Sequence, residues 1–413
     1  MPNYLLVKWV TATPSRPRPL NPTMDQNVLS PRPPSLAALF FSFLRLGATA
    51  FGGPAMVAYI RRLAVERKRW LTDAVFADGV ALCQLIPGAT AMQTAAYVGF
   101  RTRGIRGALA SFVGFGFAAF VFMLALAALY TRIYDLPRVV AVFHGLRVIV
   151  ITIMAGATLT MARVSFKSWR GVVSAALAAA LFWIRVNPVP VILISAILGL
   201  LLYRSLPLDV APPGEAPPPR KVWPLAVVAG LAAAAFVIPL VLPDGLPALA
   251  ALMVRVDLFA FGGGFTAVPL MFHEIVGVRR WLDAATFMNG IAMGQVTPGP
   301  IYITATFIGY LLGGPLAAAV ATVAVFTSSF LVLVGTVPYY DALRRSRWFS
   351  RALRGVRNSF VGLLLAVTVR FAWGIPWEPW RVGIAVCAFV ALLLRAPLPL
   401  VVLAGTVLAA FVL

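Results

Sequence analysis

Two short patterns, Phe51-Gly52-Gly53-Pro54 and Gln84-Leu85-Ile86-Pro87-Gly88, sit inside otherwise apolar stretches of the chain. Glycine loosens the backbone, and proline lacks an N–H and clashes with the preceding turn, so each pattern breaks a helix. Pro54 suits the first position of a restarted helix. The segment starting there would aim unpaired N–H groups and a positive dipole end into the break. Such ends fit a tetrahedral dianion, which offers acceptors on every side. Broken backbone at membrane depth is tolerated only where it faces protein or a water-filled cavity. The competing reading makes the same residues packing kinks, because Gly and Pro are common in membrane helices.

Other side chains could serve the same anion. Arg45 and Arg147 lie within apolar stretches, with Arg255 and Arg357 nearer the ends of theirs. An arginine at depth is costly and usually faces the bundle interior, where its paired donors match an oxyanion edge. Snorkelling, or an ion pair such as Arg255 with Asp257, is the structural alternative. Gln84, Gln93, Gln295, Thr94 and Thr304 supply neutral donors near the second break, or else hydrogen bonds between helices. Acids are sparse. Asp78, near the start of its apolar stretch, is the best placed to carry a proton. Trp70 and Trp281 fall at span boundaries and read as interface anchors.

The chain repeats itself about 210 residues on. Ala50-Phe51-Gly52-Gly53-Pro54 returns as Ala260-Phe261-Gly262-Gly263-Gly264, and Trp70-Leu71 as Trp281-Leu282. Gln84…Pro87-Gly88 returns as Gln295…Pro298-Gly299, followed by Pro300. Gly99 and Gly104 match Gly309 and Gly314, Arg45 matches Arg255, and Arg147 matches Arg357. Agreement over so many uncommon residue types in nearly one register marks a duplicated unit.

The elements that must hold these residues are membrane helices. Of 413 residues, 61% are hydrophobic and 12% charged, where a soluble domain carries about 25% charged. Hydropathy gives an all-α polytopic protein of about 13 spans in two inverted repeats with broken helices. Residues 1–34 read as a disordered Pro-rich tail without a cleavable signal peptide. The first repeat spans 35–203, a Pro-rich cytoplasmic linker 204–222, a linking helix 223–242, and the second repeat 247–413. Lys and Arg counts between spans place the N-terminus inside and the C-terminus outside. The basic segment 61–69 objects, unless it is interfacial or the first span is re-entrant. An odd number of spans before the second repeat inverts it against the first.

Phe51-Gly52-Gly53-Pro54, preceded by Phe43-Leu44-Arg45-Leu46-Gly47, resembles the first signature of the chromate transporter family. Gln84…Pro87-Gly88 and Gln295…Pro298-Gly299-Pro300 resemble its second. The likeness runs over about 35–413 in the long, two-domain form. Ala89 stands where the usual pattern has a second proline, and Gly264 replaces the proline of the first motif. The resemblance implies export of chromate across the inner membrane, with sulfate as the look-alike anion, and chromate resistance. Transport of sulfate or another anion, including uptake, is the alternative reading.

Other classes are disfavoured. The net charge of +22 would suggest nucleic acid in a soluble protein, but the cations lie between apolar stretches, where they set topology and meet anionic lipid. Metal-ligand spacing, a nucleophile with its base, and a P-loop are all missing from the sequence, so no cofactor, metal site or enzymatic activity is expected. Cys83 and Cys387 read as small core residues. The partners expected are the transported anion and the lipid bilayer, and monomer and homodimer stay open alternatives.

Overall fold

The computed structural model describes residues 33–51, 55–204, 223–242, 244–394, 396 and 400–406. The Pro-rich tail, almost all of the 204–222 linker, and Gly52, Gly53 and Pro54 lie outside the described residues. The described chain is helical, with one isolated antiparallel bridge between Pro87 and Phe261.

The first repeat opens with α1 (Leu36–Thr49), capped by the Ser35 hydroxyl on the Ala38 amide. After the first break come α2 (Ala55–Arg61) and a π-helical turn, Arg62–Arg67. Helix α3 (Asp73–Leu85) then runs to the second break, and α4 (Thr90–Ile133), α5 (Pro137–Ser165), α6 (Trp169–Trp183) and α7 (Pro188–Leu202) follow. Helix α8 (Trp223–Val241) links the halves. The second repeat begins with α9 (Gly245–Phe259). Beyond its break, a 3-10 turn (Gly264–Thr266), α10 (Ala267–Phe272) and a π turn (His273–Val278) run end to end. Then come α11 (Ala284–Val296), a 3-10 turn (Ile301–Ile303) and α12 (Thr304–Thr336). Short α13 (Tyr340–Arg345), α14 (Arg347–Trp373) and α15 (Pro379–Leu393) complete the named elements.

The duplication holds down to single dihedrals. Two residues beyond each π turn stands an arginine with positive φ, Arg69 at 51° and Arg280 at 53°. Each is followed by a tryptophan amide bonded back into the turn, Trp70 to Ala64 at 2.7 Å and Trp281 to Ile275 at 2.9 Å. The segment 61–69, read as a loop, is therefore largely a helical continuation of α2. Trp70 is buried beside Phe43 rather than anchored at a boundary, and Cys387 is exposed rather than in the core.

Gly104 and Gly314 have φ of 62° and 68°, left-handed values that only glycine adopts freely, and there α4 and α12 fold back on themselves. The arms close tightly. A Cβ on Gly99 would stand 2.1 Å from the Gly107 carbonyl oxygen, and one on Gly309 2.4 Å from that of Ala317. Ser111 Oγ donates to the Ala95 carbonyl at 2.8 Å, and the Thr306 and Thr322 hydroxyls meet at 2.6 Å. Each repeat thus presents a half-helix, a break, a second half-helix and a tight reversal into a long helix.

The repeats interlock. Helix α14 of the second packs on α6 and α7 of the first, α5 of the first packs on α15 of the second, and α4 packs on α12. Glycines permit these approaches, since a Cβ on Gly355 would lie 1.9 Å from the Ser195 carbonyl oxygen. Four helical segments, Thr90–Ile133, Pro137–Ser165, Ile301–Tyr339 and Arg347–Trp373, are long and apolar enough to cross a membrane. The other apolar helices are shorter, and Leu36–Thr49 and Gly264–Val278 are short because breaks divide the spans expected there. On α4, Ile105, Leu109, Val113, Phe117 and Val121 form an exposed apolar stripe, as expected of a lipid-facing surface. The fold is that of an all-α membrane protein.

Candidate functional site

Each helix break meets a break of the opposite repeat. The Gly88 amide donates to the Ala260 carbonyl at 2.9 Å, and the Gly299 amide donates to the Ala50 carbonyl at 3.1 Å. Gly88 and Gly299 share the same left-handed conformation, with φ of 116° and 122°. Gly262 and Gly263, at 102° and 116°, turn the first break of the second repeat. A side chain at either motif glycine would collide across the repeats: a Cβ on Gly88 would sit 2.5 Å from Ser329 Oγ, and one on Gly299 2.4 Å from Ala119 Cβ. Pro87, Pro298 and Pro300 hold the extended backbone between the half-helices. Phe51 and Phe261, both half-buried, flank the crossings.

The helices that restart here lack caps. Helix α3 is capped by the Thr72 side chain and α11 by that of Asp283. By contrast, neither Ala89 before α4 nor Pro300 before Ile301–Ile303 supplies a side-chain cap, and neither does Gly263 before Gly264–Thr266. Uncapped first-turn amides are a ready site for an anion. Two buried amide atoms beside the breaks, Gln93 Oε1 and Gln295 Nε2, have no hydrogen-bond partner among the described residues. Gln93 Nε2 donates to the Pro87 carbonyl at 2.6 Å, bracing the first-repeat break. Thr94 spends its hydroxyl on the Thr90 carbonyl of its own helix, and Thr304 on the Ile301 carbonyl of the 3-10 turn before it. A narrow crevice beside the second-repeat breaks is lined among others by Gly264, Met271, Ile301, Tyr302 and Thr304.

The arginines are distributed differently from their sequence positions. Arg45 is exposed on α1, whose buried face is Leu39, Phe43 and Gly47. Arg147 is half-buried, and its Nε donates to Asn289 Oδ1 at 2.8 Å and its second terminal nitrogen to Tyr134 Oη at 3.0 Å. The Asn289 amide in turn donates to Tyr130 Oη at 3.0 Å. Arg357 donates to the Gln84 carbonyl at 2.6 Å, also across the repeats. The Arg255–Asp257 pair does not form: Arg255 lies 2.8 Å from Glu274, because residues two apart on a helix point to different sides.

Asp78, the acid the sequence favoured, has a side chain 54% exposed, 3.6 Å from Arg344 and 3.5 Å from Tyr340 Oη. Its repeat mate Asn289 is fully buried, and likewise Gln84 is exposed while Gln295 is buried. Tyr130 and Tyr340 occupy matching places in these two clusters. One copy is therefore buried around Asn289, and the other exposed around Asp78. Two acids are buried among the described residues, Glu274, which pairs with Arg255, and Asp257, which sequence reasoning treated only as an ion-pair partner. Its signal was present: an aspartate within a long apolar stretch at the break, where the first repeat has Gly47.

The model of the chromate transporter family matches residues 37–200 and again 247–410. The chain belongs to the chromate transporter family. It is 41% identical over 400 residues to an uncharacterized transporter of Methanocaldococcus jannaschii, covering 94% of this chain and 98% of that one. It is 31% identical to the chromate transport protein of Cupriavidus metallidurans, covering 86% and 87%, and 30% identical to that of Pseudomonas aeruginosa, covering 86% and 85%. No solved structure matches. The two matched stretches are the two repeats, and the family is one of transporters, not of enzymes.

Proposed function

We propose that this transporter carries chromate out across the inner membrane, with the anion held where the helix breaks of the two repeats cross. The observation that carries the reading is the pair of uncapped helix starts, at Ala89 and at Pro300, brought to the crossings from opposite repeats. Unpaired N–H groups from two converging helix ends bind a tetrahedral oxyanion without the tight grip of a full positive charge. Gln295 Nε2, buried and unpaired, adds a side-chain donor beside them. Arg45 supplies positive charge on the approach rather than a ligand at the crossing.

The repeats run in inverted orientation, with the N-terminus cytoplasmic and the C-terminus periplasmic, and their rocking gives alternating access. The cluster of Arg147, Asn289, Tyr130 and Tyr134 is the closed gate, and its counterpart around Asp78, Tyr340 and Arg344 is the open one. A dianion leaving a negative interior gains about 4.6 kcal/mol per 100 mV, roughly three decades of gradient, so the potential alone favours export and resistance.

The test is chromate accumulation in everted membrane vesicles holding the protein. With an inside-positive potential imposed, uptake should exceed that of vesicles without the protein and fall when sulfate is added in excess. Uptake indifferent to the potential and to the protein would remove chromate export as the function.

A further inference from the structure

The Asp257 carboxyl is 1% exposed at the C-terminal end of α9, directly before the break. Ser328 Oγ donates to its Oδ2 at 2.7 Å and Ser329 Oγ to its Oδ1 at 2.8 Å. Ser329 Oγ also accepts the Ala89 amide at 2.8 Å. The carboxyl is thus wired through one hydroxyl to the start of α4. No cation pairs with it among the described residues. Helices α8, α10 and α12 pack on α9 and contain no Asp, Glu, His, Lys or Arg; Tyr310 on α12 is their one titratable side chain. Tyr302, in the 3-10 turn before α12, is the titratable group that faces it. Arg255, on α9 itself, is committed to Glu274.

The first repeat lacks every part of this arrangement. Gly47 stands for Asp257, Ala119 for Ser329, and in the second repeat Pro300, which has no N–H, stands for Ala89. Duplication alone therefore does not account for the arrangement. Ala89, standing where the second repeat has Pro300, supplies the amide that Ser329 takes. A carboxylate desolvated to this degree, without a cation, is a group that neutralises by taking a proton.

We propose that Asp257 is a proton-binding site of the transport cycle and that its proton loads together with the anion. This rests on the transporter reading above. The carboxylate and the transported anion draw on the same end of α4, and two negative charges there repel. Anion binding therefore favours the protonated carboxyl, and by reciprocity the proton favours the anion. One proton is taken up by the carboxylate when the anion binds and released on the far side when the anion leaves. A dianion then crosses with one proton and moves one net charge, so the potential contributes half of what it would give the bare dianion.

Chromate affinity of the purified protein in nanodiscs, followed by tryptophan fluorescence from pH 6 to pH 9, tests this. The wild type should lose up to about tenfold in affinity per pH unit beyond the titration of Asp257. Asp257→Asn, which mimics the protonated group, should keep at high pH the affinity the wild type shows at low pH. Chromate's own protonation enters both curves equally, so their difference belongs to Asp257. Equal pH slopes in the two proteins would overturn the proposal, as would a wild-type affinity set by sodium and not by pH. If Asp257→Asn does not fold, Ser329→Ala decides: with one donor fewer, the midpoint should move up by about one pH unit, and an unmoved midpoint counts against the site. A wild type that binds no chromate at any pH removes the transport reading itself, whereas binding without the extra slope removes only the proton site.

Discussion

At the scale of single residues, the two repeats carry different chemistry at equivalent positions. Where the first has Asp78 the second has Asn289, and where the second has Asp257 the first has Gly47. Arg147 shows why a side chain's identity matters at such a place. Its planar guanidinium reaches Asn289 and Tyr134 at once, tying the first repeat to the second at the proposed gate. A lysine is a point charge without that fork. Arg147→Lys should express normally and reduce the initial rate of vesicle uptake about tenfold, in line with losing one charge-assisted hydrogen bond. An unchanged rate would mean that the guanidinium does not hold the gate. The arginines were visible in the sequence, but their partners were not: Asn289 and Gln84 lie more than a hundred residues from Arg147 and Arg357, and Glu274 lies beyond the helix break from Arg255.

At the scale of elements, the glycines explain most of what the sequence repeats. Gly104 and Gly314 reverse the chain, while Gly99 and Gly309 let the reversed arms touch. Gly309→Val would press a side chain against the Ala317 carbonyl, an overpacking that costs about 1–3 kcal/mol. The thermal midpoint of the purified protein should fall by several degrees. Gly383→Ala, on α15 with open space where the Cβ would stand, is the control and should leave the midpoint unchanged or slightly raised. Equal effects of the two changes would contradict the tight hairpin. The breaks at Pro87-Gly88 and Pro298-Gly299 were legible because proline and glycine act locally. The π turns at Arg62–Arg67 and His273–Val278 were not, since a helix with one residue more per hydrogen-bonded ring has no composition of its own.

At the scale of the whole molecule, duplication gave away the two repeats before any contact was known, while hydropathy alone does not resolve the half-helices within a span. A window that averages over a break reads 76–99 as one span, where α3 stops at Leu85 and α4 starts at Thr90. What hydropathy could not show is that each break is completed by the other repeat, Gly88 on Ala260 and Gly299 on Ala50. That exchange of hydrogen bonds makes the two halves one machine: moving either repeat disturbs both crossings. It also explains how an anion at the crossings could bias the rocking of one repeat against the other, because the amides proposed for the ligand follow directly on those that join the repeats.

The most direct measurement of this account is the position of the bound anion. Crystals of the protein grown in a lipidic phase and soaked in chromate should show a chromium anomalous peak at the crossings, beside the α4 start at Ala89–Thr90 and within reach of Gln295. A peak elsewhere in the protein, with the crossings unchanged and empty under soaking that supports binding in solution, would contradict the account.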